Sequence, residues 1–216
     1  GRLVTMNVTR KTLFFLFISS LVRLFTPKRV VGKANVEKTL FFLTALLLSP
    51  SVYSAKLAIV IDDLGYHPKE DAQILALPQA VSVAIIPAAP HAKARNQQAH
   101  QQGRDILIHM PMETLSKTKI EGGGLHLGMT QDEVNQRVQT AKNIVSNAIG
   151  MNNHMGSAAT ADVPLMTKLM TALREHHLFF LDSRTIGRSV AGKMAKEQGV
   201  RALDRHIFLD DSNVFA

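Results

Sequence analysis

From residue 57 onward, short aliphatic runs alternate with stretches of helical period. Leu57 to Ile61 is five apolar residues rich in β-branched types with no polar alternation, the pattern of a strand covered on both faces, as in a parallel sheet. Val81 to Ile86, Asp105 to Ile108, Ile149 to Ser157 with its turn, Leu178 to Leu181 and a run near Ile207 to Leu209 read as five further strands. Pro111 is expected to stop the third ladder. Between the runs, helices are expected over Pro68 to Leu77, Ala92 to Gln102, from Thr130, over Pro164 to His176 and over Ser189 to Gln198. The Thr130 helix carries the capping-box spacing to Glu133 and places Val134, Val138, Ala141, Ile144 and Val145 on one face. Residues 114 to 128, with Gly122-Gly123-Gly124 and no period, read as a long mobile loop beside the site. Strict alternation of strand and helix means a parallel sheet with helices outside it.

Polar residues collect at one end of nearly every run. Asp62 and Asp63, His109 and Glu113, Asn153 and His154, Asp182 and Arg184, and Asp210 and Asp211 each follow aliphatic residues. In parallel α/β folds the carboxyl ends of the strands form the site. An Asp-Asp pair alone is equally a helix N-cap followed by a first-turn acid. Five strand ends in succession point instead to convergence.

Composition first suggests, then excludes, a nucleic-acid binder. The net charge is +8, but eight of the 25 Lys and Arg residues, against Glu37 alone among the acids, precede residue 56. The remaining chain is nearly neutral and has no basic stripe with aromatics. Lys38, the apolar Thr39 to Leu48 and the small-residue stretch Ser51 to Ala55 have the layout of a secretory signal peptide. About ten apolar residues are too few to span a bilayer core of ~30 Å. Residues 1–35 are expected to be an upstream extension, 36–55 the signal peptide and 56–216 the folded domain, in a periplasmic or secreted protein that meets the membrane only through an uncleaved leader. There is no cysteine, so a transition metal must be held by His and carboxylate, and all nine histidines follow residue 56.

Asp63, His109 and His154, one from each of three strand ends, suit a catalytic divalent ion, zinc first, with positions left open for water. Asp62, beside the ligand Asp63, is the expected general base. Asn153 and the amides near Gly156 are expected to donate to an oxyanion, and Asp182 with Arg184 to form a pair that orients a ligand. The other histidines read as surface or loop residues, with His126 the nearest to a substrate role. Met110, Met112, Met151 and Met155 need only core packing to explain them.

The blocks IDDLGY (Ile61 to Tyr66), VSVAIIPAAPHA (Val81 to Ala92), LIHMPME (Leu107 to Glu113), GMNNHMGS (Gly150 to Ser157) and FFLDSRT (Phe179 to Thr185) resemble the divergent polysaccharide deacetylases. The resemblance implies an α/β fold, a distorted (β/α) barrel of the polysaccharide deacetylase type, and removal of acetyl groups from an N-acetylated glycan such as peptidoglycan or another envelope polysaccharide. It also implies that Asp62 is the base and Asp63 a metal ligand. Two departures stand out. Ordinary deacetylases place two histidines four residues apart, whereas Glu113 lies four after His109, leaving Glu113 or His154 as third ligand. The family also continues past Asp211 into a Gly-His-Pro-His-Pro block that this chain lacks, so the barrel is expected to be C-terminally incomplete. Those departures support an alternative, a catalytically silent barrel that binds envelope glycan or protein. A receiver domain is disfavoured, because the places after its third and fifth strands hold His109 and Asp182.

Overall fold

The computed structural model describes residues 2–6 and 57–208. Beyond residue 6, the expected upstream extension and signal peptide lie outside the described residues, as does the Asp210-Asp211 pair. The strands are β1 (Arg2–Met6), β2 (Leu57–Leu64), β3 (Ser82–Ile85), β4 (Ile106–Met112), β5 (Gly150–Met155), β6 (Phe179–Asp182) and β7 (Ala202–Asp204). The helices are α1 (Pro68–Leu75), α2 (Ala92–Gln101), α3 (Gln131–Ile144), α4 (Val163–Glu175) and α5 (Ala191–Glu197). Strands β2 to β7 are parallel and adjacent in chain order, and β1 pairs antiparallel with β2.

An order without reversal has no switch point of the doubly wound kind. Right-handed crossovers then put every helix on one side, and the sheet curls into a half-barrel. Its convex face carries the main core. Ile61, Val83, Ile85, Ile106, Ile108 and Phe180 pack there with Val134 and Val138 of α3 and Leu165 and Leu169 of α4. The opposite face carries a small cluster of Val60, Ala84, Leu107 and Leu181, with Phe179 packed against it. This is the period-2 alternation of strands, which puts neighbours on opposite faces.

Helix ends follow local chemistry. Thr130 accepts from the Glu133 amide while the Glu133 carboxylate accepts from the Thr130 amide, which completes the capping box. Asp162 caps α4 by accepting from the Leu165 amide, with Pro164 in the first turn where a missing N–H costs nothing.

Two expectations need correction. Pro111 does not stop the third ladder, because β4 runs through it to Met112. Its ring nitrogen belongs to the edge facing away from β5, where β3 has already ended opposite Ile108, so no ladder bond is lost. Among the described residues the last strand is Ala202–Asp204, paired with Phe180–Asp182, and Ile207 and Phe208 lie outside any strand. Gly199 ends α5 at φ +70°, Val200 bonds back to Ala195, and the chain enters the sheet at once; Ile207 is exposed. Residues 114 to 128 form a loop beside the site, as expected, and the loop is tethered at Leu125. Leu125 is fully buried and exchanges backbone hydrogen bonds with Pro111 and Glu113, so the segment folds back along the open edge of β4.

Candidate metal centre

The concave face at the carboxyl ends of the strands holds the chemistry. The alternation that puts Leu107 and Leu181 on this face also puts His109, Asn152 and His154 there, since His109 lies opposite Asn152 and Asn152 opposite Leu181. On β2 the same rule admits Asp62, two residues after Val60, and would send Asp63 to the helix side. It is overridden by a bulge. Ile61 pairs with Val83 but Leu64 with Ile85, so β2 has one extra residue at Asp62-Asp63. Asp63 takes φ +66°, a left-handed conformation that Asp tolerates better than most residues. Leu64 accordingly falls back into the helix-side core. Gly65 follows at φ +119°, its amide donating to Asp71, which also accepts from Arg95 at 2.7 Å.

Three ligand atoms meet where these elements converge. Asp63 Oδ1 is 3.1 Å from His109 Nε2 and 3.0 Å from His154 Nδ1, and the two nitrogens are 3.1 Å apart. Ligands of a tetrahedral zinc bonded at ~2.0–2.1 Å lie roughly 3.3 Å from one another, so the triangle fits a small divalent ion. The donor set, two imidazoles and one carboxylate, is that of catalytic zinc and related ions. Three lone-pair atoms this close repel unless a proton or a cation lies between them. Asp63 is 58% exposed at its side chain, so the cluster opens to solvent, whereas the Asp62 side chain is only 8% exposed.

The electrostatics follow from this packing. Hydrogen bonding to His109, and next to His154, holds the Asp63 carboxyl well below the usual carboxylate range, against the opposing effect of burial. Burial of His109 would lower its pKa, but the charge of Asp62 and the hydrogen bond and charge of Asp63 outweigh it and raise the value. Behind the ring, His109 Nδ1 lies 2.8 Å from Asn152 Oδ1, and Asn152 Nδ2 donates to Asp62 Oδ1 at 2.9 Å. Asp62 Oδ1 is itself 3.9 Å from His109 Nδ1.

The remaining expected residues lie elsewhere. Asn153 faces the helix side, where its Nδ2 donates to Met155 O and its Oδ1 accepts from the Ser183 amide, so both ends of the amide tie loops together. Asp182, on the same side, accepts from the Arg184 amide and from Ser189 Oγ. The Arg184 guanidinium is 3.7 Å from Asp204, and the Asp182 carboxylate meets Arg184 at its backbone amide. Glu113 lies outside the cluster, accepting from the Leu127 amide and standing 3.3 Å from His126. Glu113 and His126 help line a cavity of about 530 Å³ with Lys117, Thr118, Lys119 and Ile120.

Two residues at the centre escaped sequence reasoning. Asn152 shares the parity of His154 along β5, a signal that favours it over Asn153 for a place on the same face. Glu121, whose Oε1 is 3.5 Å from His154 Nε2, comes from the folded-back loop, and no spacing announces it.

The sequence profile of the family described as divergent polysaccharide deacetylase matches residues 59–216. An uncharacterized protein of Haemophilus influenzae is 72% identical over 187 residues, covering 87% of this chain and 67% of that protein. Uncharacterized protein YibQ of Escherichia coli is 46% identical over 176 residues, covering 82% of this chain and 55% of that protein. The chain thus spans between about half and two thirds of the length of these relatives. The crystal structure of uncharacterized protein ATU2773 from Agrobacterium tumefaciens superposes with a TM-score of 0.66 at 21% identity, over 71% of this chain and 63% of that one, and shares the fold.

Proposed function

This chain belongs to the divergent polysaccharide deacetylase family, and we propose that it is a periplasmic metal-dependent hydrolase that removes acetyl groups from an N-acetylated glycan of the cell envelope. The observation that carries the reading is the convergence of Asp63, His109 and His154, from three separate strands, with ligand atoms 3.0 to 3.1 Å apart. Zinc is the ion that this donor set favours. When bound there, it would acidify water and polarise the amide carbonyl.

The chain's own groups supply the rest. Asn152 must accept from His109, because its Nδ2 is turned to the Asp62 carboxylate; this leaves the Nε2 lone pair of His109 toward Asp63. Asp62 is the proposed base, taking a proton as water attacks the amide carbon. The C–N bond then breaks, acetate is released, and the amine of the sugar leaves with a proton. The leader-like segment before residue 56 supports export.

Acetate release from chitooligosaccharide and from peptidoglycan, measured for the protein at its full natural length, tests this. Release that stops with a chelator and returns with added zinc is the expected outcome. Chelator-insensitive release, or none from any N-acetylated glycan, would overturn the proposal.

A further inference from the structure

We infer that Glu121 is a positioning residue of the metal centre, its carboxylate taking the Nε2 hydrogen of His154 and so holding the Nδ1 lone pair toward Asp63 and His109. The inference rests on the metal reading above. It begins with a division of labour between the two rings. His109 presents Nε2 to the cluster and is held from behind through Nδ1 by Asn152. His154 presents Nδ1 and therefore needs a partner at Nε2. Neutral imidazole carries one hydrogen, and whichever nitrogen holds it cannot bind a metal. Glu121 Oε1, 3.5 Å from Nε2, is the acceptor at that end. The separation is long for a hydrogen bond, and a shift of about 0.5 Å brings it to the usual length.

The other carboxylate oxygen strengthens the case. Glu121 Oε2 is buried and has no hydrogen-bond partner among the described residues. Such a group destabilises the fold, and natural proteins keep few of them without a functional reason. A cation held by Asp63, His109 and His154 would supply the missing positive field.

The loop is built to hold Glu121 in place. Leu125 is pinned to Pro111 and Glu113, and Ile120 is buried beside Glu121. Gly124 leaves no room for a side chain: a Cβ there would lie 2.5 Å from Ile120 Cδ1 and 2.9 Å from Pro111 O. The tightness of this turn fixes where the preceding residues pass over the site.

The test compares the wild type with E121L, which keeps bulk but removes the acceptor, and with E121Q, which keeps a carbonyl. The readouts are zinc affinity by chelator competition and the ¹⁵N signature of the neutral His154 ring in the metal-free protein. We expect an Nε2–H ring in the wild type and in E121Q, and a mixed ring in E121L with zinc affinity lower by roughly 10- to 100-fold. E121L with an unchanged ring and unchanged affinity overturns the inference. If E121L does not fold, the wild-type spectrum decides, because an Nδ1–H ring contradicts it directly. If no variant binds zinc yet the ring changes in E121L, the contact of Glu121 with the His154 ring stands, and the metal reading falls together with the positioning role built on it.

Discussion

Asn152 accepts from Nδ1 of His109 at 2.8 Å, and this contact sets which edge of the ring faces Asp63. Replacing Asn152 by Leu removes the acceptor and strips Asp62 of a donor. Zinc affinity should fall roughly 10- to 100-fold, measured by competition with a chromophoric chelator. Asn153→Leu should instead cost about 1–3 kcal/mol of stability, because it orphans the buried Ser183 amide, and leave zinc affinity nearly unchanged. Equal losses of affinity in both variants would refute the assignment of faces.

The bulge at Asp63 yields a backbone prediction. Asp63→Gly and Asp63→Ala both delete the carboxylate, so their difference isolates the φ of +66°. The Gly variant should be more stable than the Ala variant by about 1 kcal/mol in urea unfolding, with neither binding zinc. An Ala variant at least as stable as the Gly variant would show that the left-handed conformation is absent.

These two cases show what was legible in the sequence. The alternation of strand and helix was, because apolar runs and capping signals carry it, and the strand ends pointed to Asp63, His109 and His154. The face of each residue was harder. Asn152 and Asn153 differ by one step of the strand period, and only pairing with β4 and β6 decides between them. Asp63 sits on the concave face through a bulge that no pattern in Ile61 to Gly65 announces. Glu121 depends on a loop returning along β4, and β7 is too short and too little apolar to outweigh the richer run at Ile207-Phe208.

The metal centre should reverse the pH dependence of stability. His109 has a raised pKa in the metal-free fold, so its contribution is fully present below its ordinary value of 6.5 and is lost as pH rises through the folded-state value. Asp63, held low, contributes above 3.8 and loses that contribution only in acid. Metal-free protein should therefore lose stability as pH climbs above 6.5. Zinc-loaded protein should gain it over the same range, because binding displaces the His109 proton. Parallel thermal-unfolding curves with chelator and with zinc measure this, and slopes of the same sign would count against it.

Asp62→Asn separates catalysis from binding. If Asp62 is the base, kcat should fall about 10²- to 10⁴-fold while zinc still binds. A variant that deacetylates at the wild-type rate removes Asp62 from the chemistry. Full complementation in cells by a variant with no deacetylase activity would favour a glycan-binding role.

Metal stoichiometry tests the Asp63, His109 and His154 centre most directly. Native mass spectrometry of the wild type and of Asp63→Ala, His109→Ala, His154→Ala and Glu113→Ala proteins, each loaded with zinc and desalted, reads it. One zinc ion per chain is predicted for the wild type and for Glu113→Ala, and none for the other three. A wild type without zinc, or zinc lost with Glu113 and kept without His154, would contradict the site built from Asp63, His109 and His154.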